Sequence, residues 1–311
     1  MLILPWLVPG DPNSFQALKK ALPALECVSP CYFSLNAEFE LKTAEDPNYD
    51  ALMSLGLKVY PLVVNEGFKP EVAAELLKTR EAREKTAEIL VAKVIKEDYH
   101  GLNVDFEGPF GEYREEYSEF IADMLHKEGK EISVDVISQT KEPTPSHSWG
   151  YPFEYEKLGA VVDYLILMGY DYSSVFSPPG PVAPNQWLKE VKEYTLQKVP
   201  ADKVILGLPF YGRHWNTAPD GTHSQGRGVT YKQAMSMADE WQTEPKVHES
   251  GCLHIDVKQP DGSRDQIFFE DKTTLLEKIK IAQGLAGIAF WRLGQEDDGL
   301  WDYLYMACVR K

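Results

Sequence analysis

Three polar side chains occupy every second position of a short apolar stretch: Asn103, Asp105 and Glu107 alternate with Leu102, Val104 and Phe106. Successive side chains of a β-strand point to opposite faces. The amide and both carboxyls therefore share one face, and the apolar residues share the other. Long helical patterns flank the segment, which places it in a parallel sheet covered on both sides. Carboxyls in such a setting are costly unless they are paired or used. A polar row there reads as a working site, with acid–base chemistry as the work.

Other residues able to join such a site stand at the ends of further apolar runs. Met168-Gly169-Tyr170-Asp171 ends one of them. Pro209-Phe210-Tyr211-Gly212-Arg213 ends another, and Phe290-Trp291-Arg292 a third. Trp6, Asn65, Ser138 and Gln139 occupy corresponding places in earlier runs. Indoles stack on the C–H faces of sugars, while amides, phenols and carboxyls bond directionally to hydroxyls. The set suggests a carbohydrate site.

The elements that would position these residues follow a regular rhythm. Strand-like runs cover 2–8, 27–34, 57–64, 100–107, 131–137, 161–168, 203–209 and 287–291. Helical patterns lie between them, among them 81–96, with Ala87, Leu90, Val91, Val94 and Ile95 on one stripe, 113–127, and 272–284. Eight strands alternating with helices predict an α/β fold, a (β/α)8 TIM barrel, with its active site at the C-terminal ends of the strands. The rhythm breaks once. Residues 212–271 carry turn signals and short alternating runs, and they are too many for a loop. They are expected to form a small α+β insertion after the seventh strand, within a single catalytic barrel domain spanning 1–311.

Composition narrows the function. A formal charge of -16 argues against nucleic acid or an anionic membrane surface as partner. No apolar run is long enough to span a bilayer, so membrane insertion is not expected. The start lacks the basic first segment of a leader peptide. Cys27, Cys31, Cys252 and Cys308 read as buried free thiols, and neither they nor His248 and His254 have the spacing of a metal site. No strand is followed by a Gly-rich phosphate loop. No metal or organic cofactor is expected.

Taken with its neighbours, Gly101-x-Asn103-x-Asp105-x-Glu107 resembles the D-G-x-D-x-D-x-E strand-four motif of family 18 glycoside hydrolases, the chitinases and their relatives. Met168-Gly169-Tyr170-Asp171 resembles the family's M-x-Y-D segment at strand six. The segments 203–213 and 287–297 are similar to its strands seven and eight. Two positions depart from the pattern: His100 stands at the first Asp and Asn103 at the second. Asn103, and the segment Gly180-Pro181-Val182-Ala183-Pro184 followed by Trp187, resemble the bacterial branch that acts on spore cortex and cell-wall peptidoglycan.

The resemblance implies retaining cleavage of β-1,4 bonds after N-acetylglucosamine in chitin-like or peptidoglycan glycans. The substrate's own 2-acetamido oxygen would be the nucleophile. Glu107 would be the general acid and base. Asp105 would orient the acetamide, and Tyr170 would donate to its oxygen. Trp291 would form the sugar floor, with Asn103, Met168, Asp171, Tyr211, Arg213, Gln139, Asn65 and Trp6 completing the pocket. The same resemblance favours a secreted or cell-wall/spore-associated location. Family 18 barrels also include lectin-like members that hold sugar without cutting it; these usually lose the acid that Glu107 supplies. An Asp at 103 could share a proton with Asp105 and an Asn cannot, so Asp105 is expected to titrate more simply, with a less complex acid limb in the pH–rate profile.

Overall fold

The computed structural model describes residues 1–125, 129–144 and 149–309. Parallel strands alternate with helices, and the strands can be numbered one to eight. They are Leu2–Leu7, Cys27–Pro30 with Phe33–Leu35, Lys58–Val59 with Leu62–Asn65, Gly101–Asp105, Glu131–Ile137, Tyr164–Met168, Val204–Pro209 and Gly287–Trp291. Each pairs in parallel with the next, and strand eight also pairs with strand one. This is the expected α/β, TIM-barrel-like architecture.

Strands two and three differ from the sequence reading, because each is broken. Strand two is interrupted at Cys31-Tyr32 and strand three at Tyr60-Pro61, where proline has no N–H for the ladder. Followed as continuous ladders, the sheet is open and curled, with 11 strands running from the hairpin strand Leu41–Thr43 to Lys58–Val59. The broken halves meet twice, with Cys27 beside Lys58 and Phe33 beside Val63.

Strand alternation sorts the core into two layers. Leu4, Trp6, Ile166, Ile205 and Ala289 pack together inside the sheet. Ile3, Leu7, Leu165, Leu167, Leu206, Ile288 and Phe290 face outward into the helix layer. Strand four obeys the same rule beyond its last paired residue. Val104 and Phe106 lie in the outer layer, where the Phe106 ring stacks on Phe120 with centroids 5.7 Å apart. Asn103, Asp105 and Glu107 are left on the inside.

Some boundaries move. Strand four ends at Asp105, so Glu107 stands just past the ladder. Val161 closes the helix Tyr155–Val161, and strand six starts only at Tyr164. Lys203 belongs to the short turn Ala201–Lys203 before strand seven. The helix expected over 81–96 is Arg80–Lys96, with the Thr79 hydroxyl capping it. Ile95 on its stripe is exposed, while Ala87, Leu90, Val91 and Val94 are buried. The helix expected over 113–127 runs Arg114–Leu125, Tyr113 closes the short turn Gly111–Tyr113 before it, and 126–127 lie outside the described residues. The helix before strand eight stops at Ile281.

Immediately after strand seven the chain leaves the parallel sheet. The segments Tyr211–Thr217, Arg227–Thr230, Lys246–Val247, Leu253–Lys258 and Arg264–Phe269 form a five-stranded antiparallel sheet, with the helix Tyr231–Glu240 on it. Its own small core includes Val229, Ala234, Ile255, Ile267 and Phe269. A buried ion pair joins this unit to the barrel: Lys278 Nζ lies 3.0 Å from Glu270. Among the described residues no helix is long and apolar enough to cross a membrane.

Candidate active site

The centre of the site is the inner row of strand four. Asn103 has no exposed surface and is held by three side chains. Its Oδ1 accepts from Trp6 Nε1 at 2.8 Å and from Ser29 Oγ at 3.1 Å. Its Nδ2 donates to Asp135 Oδ1 at 2.9 Å. Asp105 is also buried, and its Oδ1 has no hydrogen-bond partner. Burial, with the charges of Glu107 and Asp135 beside it, raises the Asp105 carboxyl well above the usual carboxylate range. Glu107 is only partly buried at the rim. Burial, with the Asp171 carboxylate facing it, pushes Glu107 up to about 7. A carboxyl poised there is an acid able to give and recover a proton near neutrality.

Asp135 is a participant the sequence reading did not single out. It lies on strand five, almost fully buried, and burial raises it well above the ordinary aspartate value. The signal was present in the sequence, since Ser133 and Asp135 alternate with Ile132, Val134 and Val136 as the polar residues of strand four do. Its charge acts on Asp105, so a second carboxyl influences Asp105 despite the amide at 103. Asn103 removes one carboxyl, but a neighbouring strand supplies another.

The end of strand six supplies a second cluster. Tyr170 is partly buried, and its ring meets that of Tyr211 edge-on at 6.2 Å. Burial, with the nearby charges of Asp135 and Asp105, raises its phenol far above the ordinary value, so it remains a donor. Gly207 on strand seven makes room for it: a Cβ there would stand 3.4 Å from the Tyr170 ring and 2.6 Å from the Leu167 carbonyl. Asp171 has a left-handed backbone, φ 59°, which aspartate tolerates better than most residues. Its carboxylate accepts a short hydrogen bond from Tyr211 Oη and one from Arg213 Nη2 at 2.5 Å. Met168 is buried, and its carbonyl accepts from Ser138 Oγ at 2.7 Å.

The expected pocket wall divides into residues at the surface and residues behind it. Trp291 is partly exposed at the end of strand eight and meets Trp6 edge-on at 5.7 Å. Trp6 itself has no exposed surface, and its indole N–H is spent on Asn103. Asn65 is likewise fully buried. It accepts from the Glu107 N–H at 2.8 Å and donates to the Glu107 carbonyl at 2.9 Å. The structure thus places Trp6 and Asn65 behind the pocket, where they fix Asn103 and Glu107. Gln139 is buried and donates to the carbonyls of Gly150 and Phe153. Arg292 pairs with Asp11 at 2.6 Å and Arg213 with Asp171, so both are engaged by acidic neighbours.

Cys27, Cys31 and Cys252 are free thiols, while the side chain of Cys308 lies outside the described residues. Cys31 is only partly buried, which corrects the reading of all four as buried. It lies in the break of strand two and packs against the inner-layer residues. Among the described residues no cluster of three His, Cys, Asp or Glu side chains could hold a metal. The arrangement offers an acid near neutrality, a buried carboxyl, a phenol donor and an indole face.

Known proteins share this arrangement of elements. A crystal structure of a chitinase from Chromobacterium violaceum ATCC 12472 superposes with a TM-score of 0.87 at 25% identity, covering 100% of this chain and 99% of that one. The spore cortex-lytic enzyme SleL of Bacillus megaterium QM B1551 has the same fold, with a TM-score of 0.86 at 18% identity over 97% of this chain and 73% of that one. In sequence, the chain is 26% identical over 236 residues to a cortical fragment-lytic enzyme of Bacillus subtilis (strain 168), spanning 74% of this chain and 54% of the relative's length. The model of the glycosyl hydrolases family 18 matches residues 34–296, which include every candidate residue above except Trp6. The chain is a member of glycosyl hydrolase family 18.

Proposed function

We propose that this protein is a retaining glycosidase that cleaves β-1,4 bonds after N-acetylglucosamine by substrate-assisted catalysis, with bacterial cell-wall or spore-cortex glycan as its substrate. The observation that carries the reading is Glu107, held at about 7 at the mouth of the sheet beside the buried Asp105. Glu107 protonates the leaving glycosidic oxygen and later takes the proton of the incoming water. Asp105 accepts the acetamide N–H, which turns the carbonyl oxygen toward the anomeric carbon. Its charge then stabilises the positive ring that forms. Tyr170 donates to the acetamide oxygen. Trp291 lies under the sugar, and Asp171 keeps Tyr211 and Arg213 in place along one side.

Two observations favour peptidoglycan over chitin: Asn103 at the second acidic position of the motif, and relatives whose names refer to cortical fragments. A location outside the cytoplasm follows from that substrate. The test incubates the protein and Glu107→Gln with N-acetylglucosamine oligomers and, separately, with cortex glycan strands, with products read by mass spectrometry. Cleavage of cortex strands by the parent and a collapse of turnover in the variant is the expected result. Sugar binding without cleavage by either protein would replace the reading with a lectin-like one.

A further inference from the structure

The strand-four motif that this segment resembles has a second Asp where this chain has Asn103. We propose that Asp135, one strand away, supplies that carboxyl: Asp135 and Asp105 share a single proton, and Asn103 holds Asp135 in place. Its role in turnover rests on the glycosidase reading, whereas the shared proton does not.

Backbone register sets up the pair. Asn103 lies beside Ser133 and Val104 beside Val134, so Asp105 and Asp135 are the next inner-face residues of neighbouring strands, and the charge of Asp135 acts on Asp105. The orientation of Asn103 is fixed, because its Oδ1 already accepts from Trp6 and Ser29. Its NH2 therefore points to Asp135 Oδ1, so a proton on Asp135 would sit on the other oxygen, Oδ2. Asp105 Oδ1 is the complementary atom, buried and without a hydrogen-bond partner. A buried acceptor of this kind calls for a donor. Two carboxylates side by side away from water do not both ionise. The other titratable groups facing the pair are Glu107, Tyr170, Cys31 and Tyr117, from strand four, strand six, the break in strand two and the helix behind strand four. Arg213 and Arg292 are paired with Asp171 and Asp11 instead.

The transfer is balanced within the pair. At rest the two carboxyls hold one proton and one negative charge. When the acetamide N–H arrives, the shared proton settles on Asp135 Oδ2. Asp105 thereby gains the charge that accepts the N–H and later faces the cationic ring. Asn103 donates only to the other oxygen and stays in place throughout.

Carboxyl-labelled aspartate in the whole protein reports the pair directly by NMR titration, with no substrate needed. In the parent, the Asp105 and Asp135 signals should move together in two steps. Asp135→Asn should leave Asp105 titrating once, at lower pH, because a negative neighbour has gone. Returning the carboxyl to strand four, in Asn103→Asp with Asp135→Asn, should restore the two-step curve. With N-acetylglucosamine oligomers, kcat should fall roughly 10- to 100-fold in Asp135→Asn and recover in the double variant. Independent one-step curves in the parent overturn the proposal even if Asp135→Asn misfolds. Unchanged kcat in a folded Asp135→Asn overturns the role in turnover. If the parent titrates in two steps but cleaves no glycan, the glycosidase reading fails and the shared proton stands.

Discussion

Replacing Glu107 by Gln should inactivate the protein and stabilise it in the same stroke, but only over a defined range of pH. In the folded chain Glu107 is held at about 7, against an ordinary value of 4.5. The folded state therefore keeps its proton where the unfolded chain has lost it. Below 4.5 both states are protonated and ionisation costs nothing. As pH rises through this interval folding stability declines, and above about 7 the accumulated loss is roughly 3 kcal/mol. Gln has no proton to lose and escapes that loss. At ~2 cal/mol/K of unfolding entropy per residue, the chain of 311 residues should show about 5 °C of extra thermal stability in the variant. Melting curves of both proteins at about pH 4 and about pH 8.5 test this: the difference in Tm should open only at the higher pH. Turnover should fall by roughly 100- to 10,000-fold, the usual contribution of a general acid. A constant Tm difference across pH would refute the reasoning, because Glu107 would then be ionised in the folded protein at an ordinary pH.

Other perturbations act on separate parts of the structure. Asp171→Asn removes a negative charge that helps to lift Glu107, so the alkaline limb of the pH–rate profile should move to lower pH; an upward move would contradict the assignment. Asn65→Ala strips the side chain that holds both backbone groups of Glu107, and should destabilise by about 2 kcal/mol while lowering kcat roughly tenfold or more, read by melting and steady-state kinetics. Lys278→Met leaves the buried Glu270 without its partner and should cost about 3–5 kcal/mol in denaturant unfolding, most of it recovered when Glu270→Gln is added.

Much of this protein is written locally in its sequence. The two-residue period of strand four separates Asn103, Asp105 and Glu107 from Leu102, Val104 and Phe106 whatever surrounds them, because strand geometry alone dictates it. The eight apolar runs and the helical stripes between them follow from the same backbone periods, and so does the α/β class. Local pattern is silent on what crosses from one strand to another. The break in strand two falls on Cys31-Tyr32, which carry no local mark, unlike the break at Pro61 in strand three. Trp6 and Asn65 look like pocket residues at strand ends, yet each spends its polar atoms behind the pocket, on Asn103 and on the backbone of Glu107. Above all, the sequence places an amide at 103 and implies a single acid beside it. Only the pairing of strand five with strand four brings the charge of Asp135 to bear on Asp105, because the state of a buried carboxyl depends on its surroundings rather than on position in the chain.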